Sequence, residues 1–190
     1  FLDRPKFMQN KKLTPAEIGT AVHAVMQHVK VTEGTETEIH NQILAMVQNE
    51  LISKEQAEVV DVSSILAFFR TEIGQRLQNA TTIYKEVPFS YALQADELYK
   101  DNKLSGETVL MQGVVDCLFE DDRGIVLLDY KTDTITGRFT EKDDIETTLI
   151  KRYEQQLAYY KQAVENIWKK EISEVYLYFF DGNRLIKVEQ

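Results

Sequence analysis

Two short stretches hold the residues best suited to chemistry: Gly113-Val114-Val115-Asp116 and Leu128-Asp129-Tyr130-Lys131-Thr132. Both sit on strand-like runs joined by Asp121-Asp122-Arg123-Gly124, with Asp first and Gly last as in a type I turn. With Asp122 and Arg123 at the centre, Asp121 faces Gly124, and counting back in register sets Asp116 opposite Asp129. Facing Cβ atoms on paired strands lie roughly 4.5–5.5 Å apart. Two carboxylates that close repel unless a cation lies between them or one is protonated. Lys131, two residues past Asp129, projects from the same strand face. Two carboxylates and an amine on one sheet face are the parts needed to hold a divalent metal and steer a phosphoryl group. The competing reading is a hairpin whose charged face is simply solvated. Against it stands Ile125-Val126-Leu127-Leu128, a near-continuous apolar run typical of a strand buried on both faces. A charged Asp-x-Lys at the end of such a strand is costly unless paired or bound to something.

The elements that must position these groups follow from pattern. Residues 1–12 read as an extended leader. Thr14-Pro15-Ala16-Glu17 has Thr at N-cap, Pro at N1 and Glu at N3, and predicts a helix to about Lys30. Gly34 marks a break, and helical patterns follow near 36–49, 54–59 and 61–78. Ile83 to Leu93 alternates like a strand, and the polar residues 95–106 read as a loop. Strands at 108–120 and 124–131 form the hairpin. A polar stretch, 132–145, leads to a long helix near 146–169, and 175–188 reads as a final hairpin around Asp181-Gly182-Asn183. The order is helices first, then a mixed sheet crossed by one long helix. The expected organisation is one domain over 1–190: a helical part, 1–82, and an α/β core, 83–190.

Other residues could join the carboxylates. Gly19 and His23 lie one helical turn apart on one face. Glycine inside a helix costs roughly 1 kcal/mol against Ala, which a close approach by another element or a ligand would explain; the plainer reading of His23 is a half-buried histidine with an ordinary hydrogen bond. His28 and His40 have no comparable context and read as surface residues. Glu86 precedes Pro88, which marks an edge or strand end, and either faces the two Asp residues or is a charged edge residue. Arg152, Gln156 and Tyr160 recur along one face of the long helix. A guanidinium, an amide and a phenol in that order suit phosphate and base contacts, or else a solvated face with one buried tyrosine. Cys117 points to the sheet face opposite Asp116 and reads as core.

Composition sets limits. At 190 residues, 43% hydrophobic and 28% charged, the chain can bury a real core as a soluble globular domain. It opens Phe1-Leu2-Asp3 without an initiator Met, which reads as a fragment or a processed product, and the start has no signal-peptide pattern. No apolar run approaches ~20 residues, so no membrane span is expected. One cysteine excludes an internal disulfide and a four-cysteine cluster, and fits a reducing cytoplasm. No Gly-x₄-Gly-Lys-Ser/Thr occurs, so the chain does not hydrolyse ATP by a P-loop. The net charge of −9 opposes avid nucleic-acid binding, which draws on phosphate neutralisation. A metal-dependent nuclease escapes that objection in part, because bound cations supply local positive charge.

Five motifs stand in order: Gly19 to His23, Glu86 to Phe89, Gly113 to Asp116, Asp129 to Thr132 and Gln156 to Tyr160. Together they resemble the RecB-type nucleases of the PD-(D/E)XK superfamily. Arg4-Pro5-Lys6-Phe7, Leu13-Thr14-Pro15, Phe68-Phe69 and Ile73-Gly74-Gln75-Arg76-Leu77 are similar to the C-terminal nuclease region of the large subunit of AddAB-type helicase–nucleases. The resemblance implies an α/β restriction-endonuclease-like core: a mixed sheet flanked by helices, with a helical N-terminal segment. It implies a Mg²⁺-dependent deoxyribonuclease, with Mn²⁺ able to substitute and no iron–sulfur cluster, acting on single-stranded DNA in double-strand break resection. His23, Asp116, Asp129 and the Tyr130 carbonyl become metal ligands. Lys131 orients the attacking water or stabilises developing charge, and Glu86 assists. Gln156 and Tyr160 shape the site and contact DNA, with Arg152 one turn away. The implied partners are the rest of a helicase chain, which would feed the strand, and a second, AddB-like subunit. Two other readings stand beside this one: a nuclease-fold module that binds DNA or a partner without cutting, and a stand-alone nuclease of the same superfamily.

Overall fold

A computed structural model describes residues 13–94, 108–135 and 145–189. The expected loop at 95–106, the leader and most of the 132–145 stretch lie outside the described residues.

Five helices come first: α1 (Pro15–His28), α2 (Glu36–Gln48), α3 (Lys54–Val59), α4 (Val62–Arg70) and α5 (Glu72–Asn79). α1 opens with the expected capping box: the Glu17 N–H donates to Thr14 Oγ1 at 3.3 Å, and Thr14 N donates to Glu17 Oε2 at 2.7 Å. The single helix expected over 61–78 is two helices broken at Thr71. Thr71 closes α4 by donating its N–H and hydroxyl to the Phe68 carbonyl, and opens α5 by accepting from Gly74 N. Gly74 belongs to the same corner, since a Cβ there would collide with the Phe68 carbonyl oxygen.

The sheet has the order β1 (Thr82–Gln94), β2 (Thr108–Asp121), β3 (Gly124–Lys131), β4 (Ile172–Phe179) and β5 (Arg184–Lys187). All neighbours are antiparallel except β3 and β4, which are parallel. A parallel pair needs a crossover, and α6 (Ile145–Trp168) supplies it. The hairpin turn has the expected register, Asp121 facing Gly124, and Arg123 N donates to Asp121 Oδ1 at 2.9 Å.

β3 is the central strand, and Ile125 to Tyr130 are all buried. Val126, Leu128 and Tyr130 pack with Ala21, Ile65 and Phe68 of the helical layer. Ile125 and Leu127 pack with Leu149, Leu157 and Ala163 of α6. Each such side chain contributes about 1.5–3 kcal/mol when fully buried. The odd-numbered face of β3 therefore points at α6, and Asp129 and Lys131 continue it off the end of the apolar run. An Arg76–Asp121–Glu174 ion network ties α5 to β2 and β4 beside this core.

Candidate active site

The β2–β3 ladder is regular from Asp121–Gly124 to Cys117–Leu128 and then stops. The next pair would be Asp116 and Asp129. Instead the Asp116 carboxylate takes a backbone role: Tyr130 N donates to its Oδ2 at 2.6 Å. Both carboxylates are buried, at 8% and 2% exposure, and both line one cleft of about 280 Å³ at the end of β3.

The helical layer delivers His23. Its Nδ1 lies 3.1 Å from Asp116 Oδ1 and 3.8 Å from Glu86 Oε1. Gly19 makes this approach possible, because a Cβ there would stand 2.9 Å from Thr132 Oγ1, just past the end of β3. The helical glycine and the histidine one turn later thus have one explanation: bare backbone lets α1 close onto the strand, and His23 then reaches Asp116.

Glu86 arrives by strain. Its φ is 52°, the left-handed region, where a non-glycine residue costs roughly 1–2 kcal/mol. The β1–β2 register skips it, pairing Lys85 with Cys117 and Val87 with Val115. The kink on this edge strand turns Glu86 toward His23 and Asp116. Donor atoms of His23, Glu86 and Asp116 all fall within 4.8 Å of one another, the grouping among the described residues that could hold a metal ion.

Asp129 is engaged differently. Its Oδ2 lies 2.7 Å from Lys131 Nζ. Lys131 also donates to Gln156 Oε1 at 3.0 Å, and Gln156 Nε2 donates to the Tyr160 hydroxyl at 2.8 Å. The Tyr160 ring packs edge-on against Phe89, centroids 5.3 Å apart. A Cβ on Gly113 would stand 2.8 Å from Phe89 and 3.2 Å from Tyr160. The glycine of Gly113-x-x-Asp116, the phenylalanine of Glu86-Val-Pro-Phe89 and the tyrosine of α6 are thus interlocking parts of one wall.

The cleft is crowded with negative charge. Burial, and next the Asp116 charge, push Asp129 up to about 6. Burial and Asp116 likewise raise Glu86, against a smaller opposing pull from His23. For His23 burial acts downward, but the Asp116 bond and the charges of Asp116, Glu86 and Asp129 outweigh it, and its pKa is raised. Three carboxylates around one imidazole and one ammonium make a site that a divalent cation fits, with hard oxygen donors and one nitrogen.

The structure brings His23, Glu86, Asp116, Asp129, Lys131, Gln156 and Tyr160 together around this cleft. It does not bring Arg152 in; that side chain is exposed and engages the Tyr153 hydroxyl. His28 and His40 are exposed and Cys117 is buried, as expected. Sequence reading passed over Tyr153 and Asp133. Lys131 Nζ lies 4.3 Å from the Tyr153 ring centroid, and the Tyr153 hydroxyl donates to Asp133 Oδ2 at 2.7 Å. A signal for Tyr153 was present, since it lies three residues before Gln156 on the same helix face.

Curated relatives share this sequence closely. A protein of Geobacillus thermodenitrificans (strain NG80-2), named as an ATP-dependent helicase/nuclease subunit, is 51% identical over 189 residues, covering 98% of this chain and 15% of its own length. The proteins of the same name from Anoxybacillus flavithermus (strain DSM 21510 / WK1) and Bacillus cereus (strain AH187) are 49% and 47% identical, covering 99% and 98% of the chain. The chain spans about 15% of the length of these relatives. A solved structure described as the crystal structure of SSO0001 is a distant likeness, with a TM-score of 0.37 and 11% identity over 90% of this chain and 74% of that one. No helix among the described residues is long and apolar enough to cross a membrane. A family model, the PD-(D/E)XK nuclease superfamily, matches residues 2–189, and the chain belongs to that superfamily.

Proposed function

We propose that this chain is a divalent-metal-dependent nuclease domain that hydrolyses phosphodiester bonds of single-stranded DNA within a helicase–nuclease. The observation that carries the reading is the buried pair Asp116 and Asp129, with Lys131 at 2.7 Å from Asp129 and His23 at 3.1 Å from Asp116. Residues 1–82 would bring the histidine and 83–190 the carboxylates and the lysine.

His23, Asp116 and Asp129, with Glu86 and the Tyr130 carbonyl, would hold Mg²⁺ or Mn²⁺. When bound, the ion supplies Lewis-acid polarisation of the phosphoryl group and favours hydroxide over water. The protein's own groups do the rest. Asp129 and Gln156 keep the Lys131 ammonium pointed into the cleft, where it stabilises negative charge growing on the phosphate oxygens. Preorganisation of this kind needs no reorientation at the moment of reaction. Gln156 and Tyr160 form the wall against which a nucleotide would lie, and an unpaired base can stack on an aromatic face there.

The charge of −9 fits a domain that is handed its strand by a motor rather than one that captures DNA by long-range attraction. The names of the relatives support that setting: the rest of a helicase chain and an AddB-like second chain would be the partners, in the cytoplasm, in double-strand break repair. The test is digestion of single-stranded and blunt duplex DNA by the 190-residue chain, with Mg²⁺, with Mn²⁺ and with chelator. Metal-dependent loss of the single strand, with duplex resisting, supports the reading. Equal cutting in chelator, or efficient cutting of duplex by the isolated chain, contradicts it.

A further inference from the structure

Lys131 is held on three sides, and the metal-binding and base-contacting groups supply only two of them. Asp129 Oδ2 and Gln156 Oε1 take its protons at 2.7 and 3.0 Å. The third side is the face of Tyr153, with the ammonium 4.3 Å from the ring centroid, well within cation–π range. The ring is fixed at its far end. Its hydroxyl donates to Asp133 Oδ2 at 2.7 Å, and the ring lies tilted against Phe179, centroids 5.9 Å apart. Asp133 is held in turn. Phe180 N donates to the Lys131 carbonyl at 3.0 Å, and Ile135 N to Asp181 Oδ2 at 2.6 Å, so both ends of the segment carrying Asp133 are tied to the β4–β5 turn.

We propose that Tyr153 is a positioning residue for Lys131: its ring face, set by Asp133, completes a seat that fixes the ammonium in the cleft. A lysine has about 2 kcal/mol of rotamer freedom to lose. Asp129 alone would let the amine swing toward Glu86 or Asp116, which also carry negative charge in the cleft. The aromatic face closes that alternative while adding no charge that could compete with a phosphate. It also explains why the tyrosine lies three residues before Gln156: ring and amide emerge on the same side of α6 and meet the amine together. Asp133 and Lys131 straddle Thr132, so one short segment carries the amine and the group that aims its platform.

The proposal rests on the nuclease reading, and its test has a part that does not. Nuclear magnetic resonance of the chain reads the Lys131 ε-methylene protons, which a ring face at this distance shifts upfield. The shift should be present in the wild type, persist in Tyr153→Phe and vanish in Tyr153→Leu. In the digestion assay, Tyr153→Leu should lower kcat roughly 10-fold with KM unchanged, the size expected for losing a partly buried cation–π contact. Tyr153→Phe keeps the platform and should stay within about 3-fold, the value of one side-chain hydrogen bond at the weak end. If Tyr153→Leu fails to fold, the wild-type and Tyr153→Phe spectra decide alone. A folded wild type with no upfield shift overturns the seat. So does a leucine variant with normal kcat, or one whose KM rises while kcat holds, because the ring would then be touching DNA instead of Lys131. An upfield shift in a chain that cuts no DNA leaves the seat standing and overturns the nuclease reading.

Discussion

Removing one of the two buried carboxylates should not be equivalent to removing the other. Asp116 accepts the buried Tyr130 N–H at 2.6 Å, so Asp116→Ala strands a backbone donor, at a cost of about 1–3 kcal/mol. Part of this is offset because Asp129 loses its nearest like charge. The net expectation is a loss of about 2 kcal/mol, or about 4–8 °C in Tm for a domain of this size. Asp116→Asn keeps an oxygen in place for Tyr130 N and removes the charge, so it should melt with the wild type or above it. For Asp129 the balance differs. A carboxyl pushed up to about 6 carries a penalty of about 3 kcal/mol on its ionised form at neutral pH. The sign is that of a raised carboxyl: without metal, stability is highest below the ordinary carboxylate range and falls as pH rises toward about 6. Asp129→Asn relieves this penalty but takes from Lys131 its 2.7 Å partner, leaving Gln156 and Tyr153. These terms nearly cancel, and the Tm should stay within about 3 °C of wild type. The assay is thermal melting at pH 8 in chelator for the four proteins, with all three variants inactive on DNA. An Asp116→Ala protein that melts with or above Asp116→Asn would refute the backbone role given to Asp116.

Other substitutions probe the frame. Gly19→Ala should lower activity about 10-fold or more, because a Cβ 2.9 Å from Thr132 Oγ1 pushes α1 and His23 off the strand end and small misplacements are costly in catalysis; the double variant with Thr132→Ala should recover most of the loss in the same digestion assay. Glu86→Gly should raise thermal stability by about 1 kcal/mol by releasing the left-handed backbone at φ 52°, while lowering metal affinity measured by calorimetry. The Arg76 hydrogen bond holds Asp121 below its ordinary value, so its stabilisation is present above the usual carboxylate range and is lost as pH falls through the lower folded value. Arg76→Leu should therefore cost about 3 kcal/mol at pH 7 and clearly less near pH 2–3, read from denaturant midpoints across that range.

Much of the fold was legible because the signals were local. Thr14-Pro15-Ala16-Glu17 specifies a capping box within four residues, and the Asp121 to Gly124 turn fixes a hairpin register without outside help. Thr71 was harder to read. Apolar residues on either side keep helical spacing, and the break shows only in the Thr71–Gly74 cap and in the collision a side chain at Gly74 would meet. For the site, residue identities were readable and partnerships less so. Register set Asp116 beside Asp129, but no pattern says that Asp116 would take over the ladder at Tyr130, or that Asp129 would turn to Lys131. Glu86 was ambiguous because its direction depends on one left-handed residue in an edge strand. Arg152 has the right spacing on α6 and the wrong environment, since its side chain stays at the surface with Tyr153. Tyr153 looked like core aromatic, and only the cross-chain meeting with Lys131 and Asp133 gives it a role.

The central claim is that Lys131 stabilises charge at a metal-loaded carboxylate site. Its most direct measurement is single-turnover cleavage of single-stranded DNA at saturating Mg²⁺ by the wild type, Lys131→Ala and Lys131→Arg, with calorimetry of Mn²⁺ binding to each. Both variants should bind the ion as the wild type does and lose at least about 100-fold in rate, because arginine keeps the charge but cannot reproduce the compact ammonium between Asp129, Gln156 and Tyr153. Wild-type turnover in Lys131→Ala, or no divalent binding by the wild type at millimolar ion, would contradict it.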